Sequence, residues 1–238
     1  MVEEKMSAKV EALSQGLRRV ALADGVYEAV KTLIMDRQIE PGSKINMDEL
    51  ARGLSVSATP VREALARLEA DGLVTKRPLV GYTAAPLLDA AGVGELFELR
   101  LLLEPAAARW AAEVIGQPDA AALVGLVSKA RDATKSSSGE DYRAYRLLAA
   151  HDREFHETIA SASGRVLMAQ TLRRLHPHAQ TYRVLFRRGF DRQTLLEHAA
   201  IARALQRRDA DAAAAAMTEH LHKARQRVIA AMDAGESG

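Results

Sequence analysis

Cysteine is absent from all 238 residues. That excludes disulfides and thiolate metal sites, and leaves imidazole and carboxylate as the strong ligands a transition metal could find. No apolar run approaches the ~18 residues that a membrane span needs. The N-terminus, MVEEKMSAKVEAL, carries too much charge for a signal peptide. These absences suit a cytoplasmic protein. A marked charge excess is also missing: the chain is +2 at pH 7, and residues 1–86 hold 12 Lys and Arg against 12 Asp and Glu. Net charge therefore neither announces nor excludes a nucleic-acid partner. Any electrostatic footprint must be local, from residues such as Arg18, Arg19, Lys44, Arg62, Arg67, Lys76 and Arg77. Apolar residues, by contrast, make up 48% of the chain, enough to build a core in one large or two small domains.

The most informative stretch is SATPVREALARLEADGLV, from Ser57 to Val74. Val61, Leu65 and Leu68 recur at i, i+4 and i+7 with Ala64 on the same stripe, and Asp71-Gly72 ends the run, which predicts a helix of about three turns. Its other face carries Thr59, Arg62 and Ala66. Ser57 or Thr59 can cap the first amides, and Pro60 fits a first turn, where its missing N–H has no partner to lose. Upstream, MDELARGL (47–54) predicts a short helix with Asn46 as its cap. From Asp24, Val26, Val30, Leu33 and Ile34 share one face of a further helix that Pro41-Gly42 stops. Downstream, 73–77 and 82–85 read as strands joined by Pro78-Leu79-Val80-Gly81, a hairpin turn. Each piece alone is more often a packing element than a DNA reader. In this order they describe a winged helix-turn-helix, whose second helix enters the major groove with its N-terminal residues at base edges.

The run from Ile39, IEPGSKINMDELARGLSVSATPVREALARLEADGLVTKRPLVGY, resembles the DNA-binding domain of the GntR family of bacterial transcription regulators. The matching marks are the P-G-x-x-I opening, the V-S-x-T-P-V-R-E-A-L core and the D-G-L-V exit. The resemblance implies that Thr59 and Arg62 contact operator DNA, that Ser57 meets phosphate, and that Gly81 lets the wing tip approach the duplex. The family usually has Arg where Ala58 stands and often a basic residue where Val80 stands.

After Ala84-Ala85-Pro86 the pattern is helical to the end. This divides the chain into an arm (1–20), a winged helix-turn-helix (21–85) and an all-α bundle (86–238). Helices are expected over 94–115, 118–135, 140–163, 165–188, 192–208 and 211–232. Pro177 must kink or break the fourth of these, and SSSG at 136–139 is a loop. Asp152 and His156 lie four apart and project from one helix face, a common spacing that by itself reads as a surface pair. His198 lies eleven residues before Asp209 and His220 eleven after it. If 209 is the turn of an antiparallel hairpin, both lie about 16 Å from it and can face each other. Asp152, His156, His198 and His220 then offer one carboxylate and three imidazoles from three helices, in the kind of bundle core where metal sites are built.

The same four residues match the ligands of the FCD effector domain found in FadR-type GntR proteins: D-x-x-x-H at 152–156, E-H-x-x-I at 197–201 and M-x-x-H-L at 217–221. This resemblance implies a mainly α protein that forms a homodimer, binds a divalent metal and senses a small organic acid, with operator DNA and no membrane as its partners. Zinc or nickel is favoured over manganese by intrinsic affinity. The expected function is a ligand-responsive regulator, a repressor. The remaining histidines, His151, His176, His178 and His222, are assigned surface or capping roles, although His176 and His178 straddle the kink and could line a cavity.

Arg100 and Glu104 sit at i, i+4, ordinarily a surface ion pair. Leucines and Phe97 surround them on nearly every side, which predicts a buried helix and an Arg100 in need of a partner that a metabolite carboxylate could supply. Tyr142, Arg143, Arg146, Tyr182 and Arg183 are lesser pocket candidates. Two rival readings remain. A metal-dependent hydrolase would use open coordination positions to activate water, but it leaves the first 85 residues without a purpose and lacks a carboxylate spaced as a general base. A DNA-binding protein with a purely structural metal site is the other.

Overall fold

The computed structural model describes residues 21–135, 142–185 and 193–236. The expected arm (1–20), the expected loop at 136–139 and the end of the expected 165–188 helix lie outside them. The chain divides into two compact units, Met1–Pro86 and Leu87–Gly238.

In the first unit α1 spans 21–35, α2 Met47–Gly53 and α3 Ala58–Ala70, followed by β1 Val74–Arg77 and β2 Gly81–Ala84. The α3 stripe does what its periodicity predicts: Val61, Ala64, Leu65 and Leu68 are all fully buried, with Val26, Val30 and Ile34 of α1 in the same core class. α1 stops at residue 35, six residues before Pro41. Arg37 takes a left-handed conformation, and Gln38 and Ile39 donate back to the Leu33 carbonyl, so the chain closes its own helix end before proline is reached. Asn46 caps α2, its Oδ1 accepting from Asp48 N at 3.1 Å and Glu49 N at 3.3 Å. Ser57 occupies the N-cap position of α3 but makes no side-chain cap bond.

β1 and β2 pair antiparallel from Val74↔Ala84 to Arg77↔Gly81. The segment after Pro41 lies along the free edge of β2: Gly42 N donates to Ala84 O at 3.0 Å, Ala84 N to Ser43 O at 2.9 Å and Ile45 N to Tyr82 O at 2.8 Å. This explains the P-G-x-x-I opening. Gly42 turns the chain at φ +79, and Ile45, two residues beyond Ser43, points into the core.

Among the described residues the second unit is all helix: α4 Ala90–Val114, α5 Gln117–Thr134, α6 Tyr142–Ala162, α7 Val166–Arg174, α8 Pro177–Leu185, α9 Gln193–Gln206 and α10 Ala210–Glu236. The expected 165–188 helix is broken into α7 and α8, with His176 left-handed between them, because Pro177 begins a new helix rather than bending the old one. α4 starts four residues before Gly94, where Asp89 accepts from Gly92 N. It is not buried all round: Leu96 and Phe97 are, but Leu99 and Leu102 are 43% and 72% exposed in the single chain. The core is supplied by Phe97, Leu123, Phe155, Ile159, Ile201, Leu205, Met217 and Leu221.

The α9–α10 connection is a tight turn through Arg208, which is left-handed, and Asp209, whose Oδ1 caps α10 by accepting from Ala212 N at 3.0 Å. The Arg208 guanidinium reaches the carbonyl of Ile115 at 2.7 Å, tying the turn to the C-terminal end of α4. The hairpin is therefore fixed in height against α4, which sets the level at which residues equidistant from the turn meet.

One expectation follows for the first unit. Asn46→Ala removes the acceptor for two amides that the helix cannot satisfy itself, so it should lower stability by about 1 kcal/mol, measured as a lower denaturant midpoint with unchanged slope.

Candidate functional site

α6 carries the site. Leu148, Asp152, Phe155 and Ile159 recur along its core-facing stripe, with His151 and His156 beside them, so a stripe that would ordinarily be all apolar holds three polar side chains among apolar neighbours. Phe155 stacks on His198 of α9, ring centroids 4.2 Å apart and planes 11° from parallel, which fixes the imidazole between aromatic and apolar surfaces. From the α9–α10 hairpin, His198 and His220 bring their rings to 4.7 Å, and both lie within 5.2 Å of His156.

Asp152, His156, His198 and His220, all buried, thus offer one ligand atom each, within 4.8 Å of one another. Asp152 Oδ1 stands 3.4 Å from His198 Nε2 and 3.8 Å from His156 Nε2. Metal–ligand bonds of about 2.0–2.2 Å put neighbouring donors roughly 3–3.5 Å apart; the first spacing falls in that range and the second stands a few tenths of an ångström beyond it. Whether a metal fits depends next on the other ring nitrogens. His156 Nδ1 is held by Glu104, His220 Nδ1 meets Glu197 Oε2 at 2.8 Å, and His198 Nδ1 meets His151 Nε2 at 3.0 Å. With each Nδ1 engaged, Nε2 is the nitrogen turned to the centre, and the Nε2 atoms of His156 and His198 are buried without a hydrogen-bond partner. Asp152 is braced likewise, its Oδ2 accepting from His178 Nδ1 at 2.7 Å. Ligands facing inward, each held from behind, form the arrangement that metal centres require. The group can hold a metal ion.

The electrostatics agree. Burial pushes the His156 imidazole down to about 4 despite Glu104 beside it, and burial with the neighbouring His220 pushes His198 well below the ordinary imidazole value. Neutral imidazoles keep their lone pairs available. Burial alone would raise the Asp152 carboxyl, but the His178 hydrogen bond and the surrounding imidazoles hold it well below the usual carboxylate range. Glu104, opposed by burial, is likewise kept ionised by Arg100 and His156.

Several assignments change. His151 and His178 are not surface residues: both are buried and each braces a member of the quartet. Their signal was weak, since His151 adjoins Asp152 in sequence while His178 lies across the α7–α8 break. Glu104 and Glu197 are two further carboxylates beside the centre. Each is occupied by an imidazole and a guanidinium, so neither is free to act as a general base. Arg100 is buried as expected, but its Nε is already bonded to Glu104 Oε1 at 2.6 Å; its Nη2 is buried without a partner. Tyr182 is taken up in the bundle's own bonding, its hydroxyl donating to Leu148 O at 3.0 Å and its carbonyl accepting from Tyr145. Arg183 is among the most buried side chains, Arg146 is exposed, and the side chains of Tyr142 and Arg143 lie outside the described residues.

In the first unit Ser57, Thr59 and Arg62 are all exposed along the start of α3, on the side opposite its buried stripe. Gly81 is exposed at φ +94 beside the hairpin tip, with no atom within 4 Å of an added Cβ. Leu79 at that tip projects fully into solvent. Arg67 serves differently from the basic surface expected of it. It pairs with Asp24 at 2.5 Å and lies over the Tyr27 ring, 4.4 Å from its centroid, tying α3 to α1. Arg18 and Arg19 lie outside the described residues.

Comparison with known proteins places both halves. Residues 22–83 match the model of bacterial regulatory proteins, gntR family, and residues 95–223 match the FCD domain. The Nta operon transcriptional regulator of Aminobacter aminovorans is 32% identical over 187 residues, covering 77% of this chain and 83% of the relative. The HTH-type transcriptional repressor RspR of Escherichia coli is 29% identical, covering 83% and 85%. Among solved structures, E. coli McbR/YncC shares the fold with a TM-score of 0.68 at 21% identity, over 87% of this chain and 97% of that one. The Nta operon regulator and RspR are transcription regulators rather than enzymes, in accord with an occupied second set of carboxylates and a winged first unit. The chain belongs to the GntR family of DNA-binding transcription regulators, in the FadR-type group that joins a winged helix-turn-helix to an FCD domain.

Proposed function

We propose that this regulator, a homodimeric repressor, binds operator DNA through the start of α3 and the wing, and adjusts that binding when a small organic acid enters the metal-bearing core of its second unit. The observation that carries the reading is the buried quartet of Asp152, His156, His198 and His220, braced from behind at every member and facing a common centre. Those four residues would hold a divalent ion, with zinc or nickel favoured over manganese by the intrinsic affinity order for imidazole and carboxylate donors. When bound, such an ion supplies a positive centre with room for an anionic oxygen. Arg100, buried with Nη2 unpartnered, supplies a charged donor for the same acid. The exposed Leu99 and Leu102 of α4 support a face that a second copy would cover.

On DNA, Arg62 reads a base edge, Thr59 adds a second contact, Ser57 leaves its hydroxyl to a phosphate because α3 does not use it as a cap, and Gly81 admits the duplex at the wing tip. Arg62→Ala should cost about 1–3 kcal/mol of specific binding and relax one base preference in each half-site, with the fold intact. Operator titrations at matched salt check this, and unchanged affinity would show that α3 is not the reader.

His198→Ala or His220→Ala should greatly weaken binding of a first-row divalent ion. Chelation of the wild type should lower its melting temperature, since the ligands join three helices. Calorimetry on protein purified with and without chelator tests both, and a wild type that neither retains nor responds to metal would refute the centre.

An acid that prefers one state of the dimer must shift operator affinity by the ratio of its affinities for the two states, typically 1–3 kcal/mol of coupling, and operator DNA must shift acid affinity equally. A panel of small organic acids titrated against the operator complex checks this reciprocity. Acids that bind the metal-loaded protein but leave operator affinity untouched would leave a purely structural metal site.

A further inference from the structure

Glu197 precedes the ligand His198 in the chain, yet it points across to α10. Its Oε2 lies 2.8 Å from His220 Nδ1, and the same carboxylate is gripped at both oxygens by Arg227, Nη1 to Oε1 and Nη2 to Oε2, each at 2.9 Å. Arg227 follows His220 by seven residues, two helical turns, so both lie on one stripe of α10. Side chains on a helix lean toward its N-terminus, which carries the guanidinium back toward the centre. Arg227 lies beyond the residues that the FCD model matches, 95–223. Its side chain is 23% exposed, whereas that of Glu197 is 5% exposed.

We propose that Arg227 is a positioning residue for the metal centre: by holding the Glu197 carboxylate in one plane, it orients His220 toward the ion. The proposal rests on the metal reading above. A carboxylate held by one imidazole alone can turn about its last torsion, and the ring follows the acceptor it donates to. A two-point guanidinium grip removes that freedom. A related relay crosses the centre, where Arg100 holds Glu104 through a single Nε–Oε1 bond and Glu104 holds His156. Two of the three imidazoles are thus backed by a carboxylate that is itself backed by an arginine. The third, His198, is backed by the neutral ring of His151. Each outer carboxylate carries its own counter-charge, so the arginines hold geometry without leaving net charge behind the ligands.

Charge and geometry predict opposite signs, which makes the proposal testable. A cation near the ion repels it, so a purely electrostatic Arg227 would weaken metal binding, and its removal would tighten it. A positioning Arg227 strengthens binding, and its loss should cost about ten- to a hundredfold in affinity. The full-length protein, stripped with chelator, is titrated with zinc(II) against a chromophoric competitor and with cobalt(II), whose visible absorption reports ligand geometry. Arg227→Met and Arg227→Lys should both weaken zinc binding and alter the cobalt spectrum, because lysine keeps the charge but loses the fork. In a Glu197→Gln background the same replacements should have little further effect. Should Arg227→Met fail to fold, Arg227→Lys carries the test. Tighter binding in Arg227→Met with Arg227→Lys unchanged, or equal losses with and without Glu197, overturns the proposal. If His220→Ala abolishes binding while both Arg227 variants match the wild type, this inference alone fails. A wild type that binds neither metal removes the metal reading along with it.

Discussion

Ionised and polar groups taken out of water must find partners inside the protein, and the second unit of this chain buries an unusual number of them in one place. Asp152, Glu104, Arg100 and five histidines lie in the interior of a helical bundle, with Glu197 and Arg227 beside them. An unpaired charge there would cost several kcal/mol, more than a domain of this size can easily carry. The structure meets the constraint by bracing each ligand on its outer side, Asp152 by His178, His156 by Glu104, His198 by His151 and His220 by Glu197. On the inner side the Nε2 atoms of His156 and His198 have no protein partner. Two more polar atoms of the cluster, Arg100 Nη2 and His151 Nδ1, are also buried without a partner.

Helix phase delivers this arrangement. On α6 the polar residues occupy positions where the periodicity calls for apolar ones, and Phe155 between them keeps the stripe packed by stacking on His198. The α9–α10 turn is held by the left-handed Arg208, by the Asp209 cap and by the bond from Arg208 to Ile115, which anchors the hairpin to α4. Slippage of the hairpin by one residue would rotate His198 and His220 by about 100° and dissolve the centre. The connection far from the site is therefore as much a part of it as the ligands are.

In the first unit the physical logic is simpler. Four small or branched apolar side chains bury one side of α3, and Ser57, Thr59 and Arg62 are exposed away from that side. Arg67, on the same helix, is committed to Asp24 and Tyr27, so the basic residues of this unit divide between holding it together and facing outward.

Sequence periodicity by itself determined the elements and their faces: the α3 stripe, the Asn46 cap, the hairpin and the break at Pro177 each follow from residues within a few positions of one another. It also brought together the four residues of the buried quartet, because Asp152 and His156 share a face by spacing and His198 and His220 are equidistant from a turn. Local pattern says which face of a helix turns inward, but not which residue of another helix it meets. That depends on the rotation and height of each helix against its neighbours, which the whole core fixes at once. The bonds of His151 to His198, His178 to Asp152, Glu104 to His156 and Arg227 to Glu197 span 26 to 52 residues. No local pattern marks such pairs, so only the tertiary structure decided them. The partial exposure of α4 has the same cause: a run of leucines predicts apolar surface, and packing alone decides which part of it this chain covers.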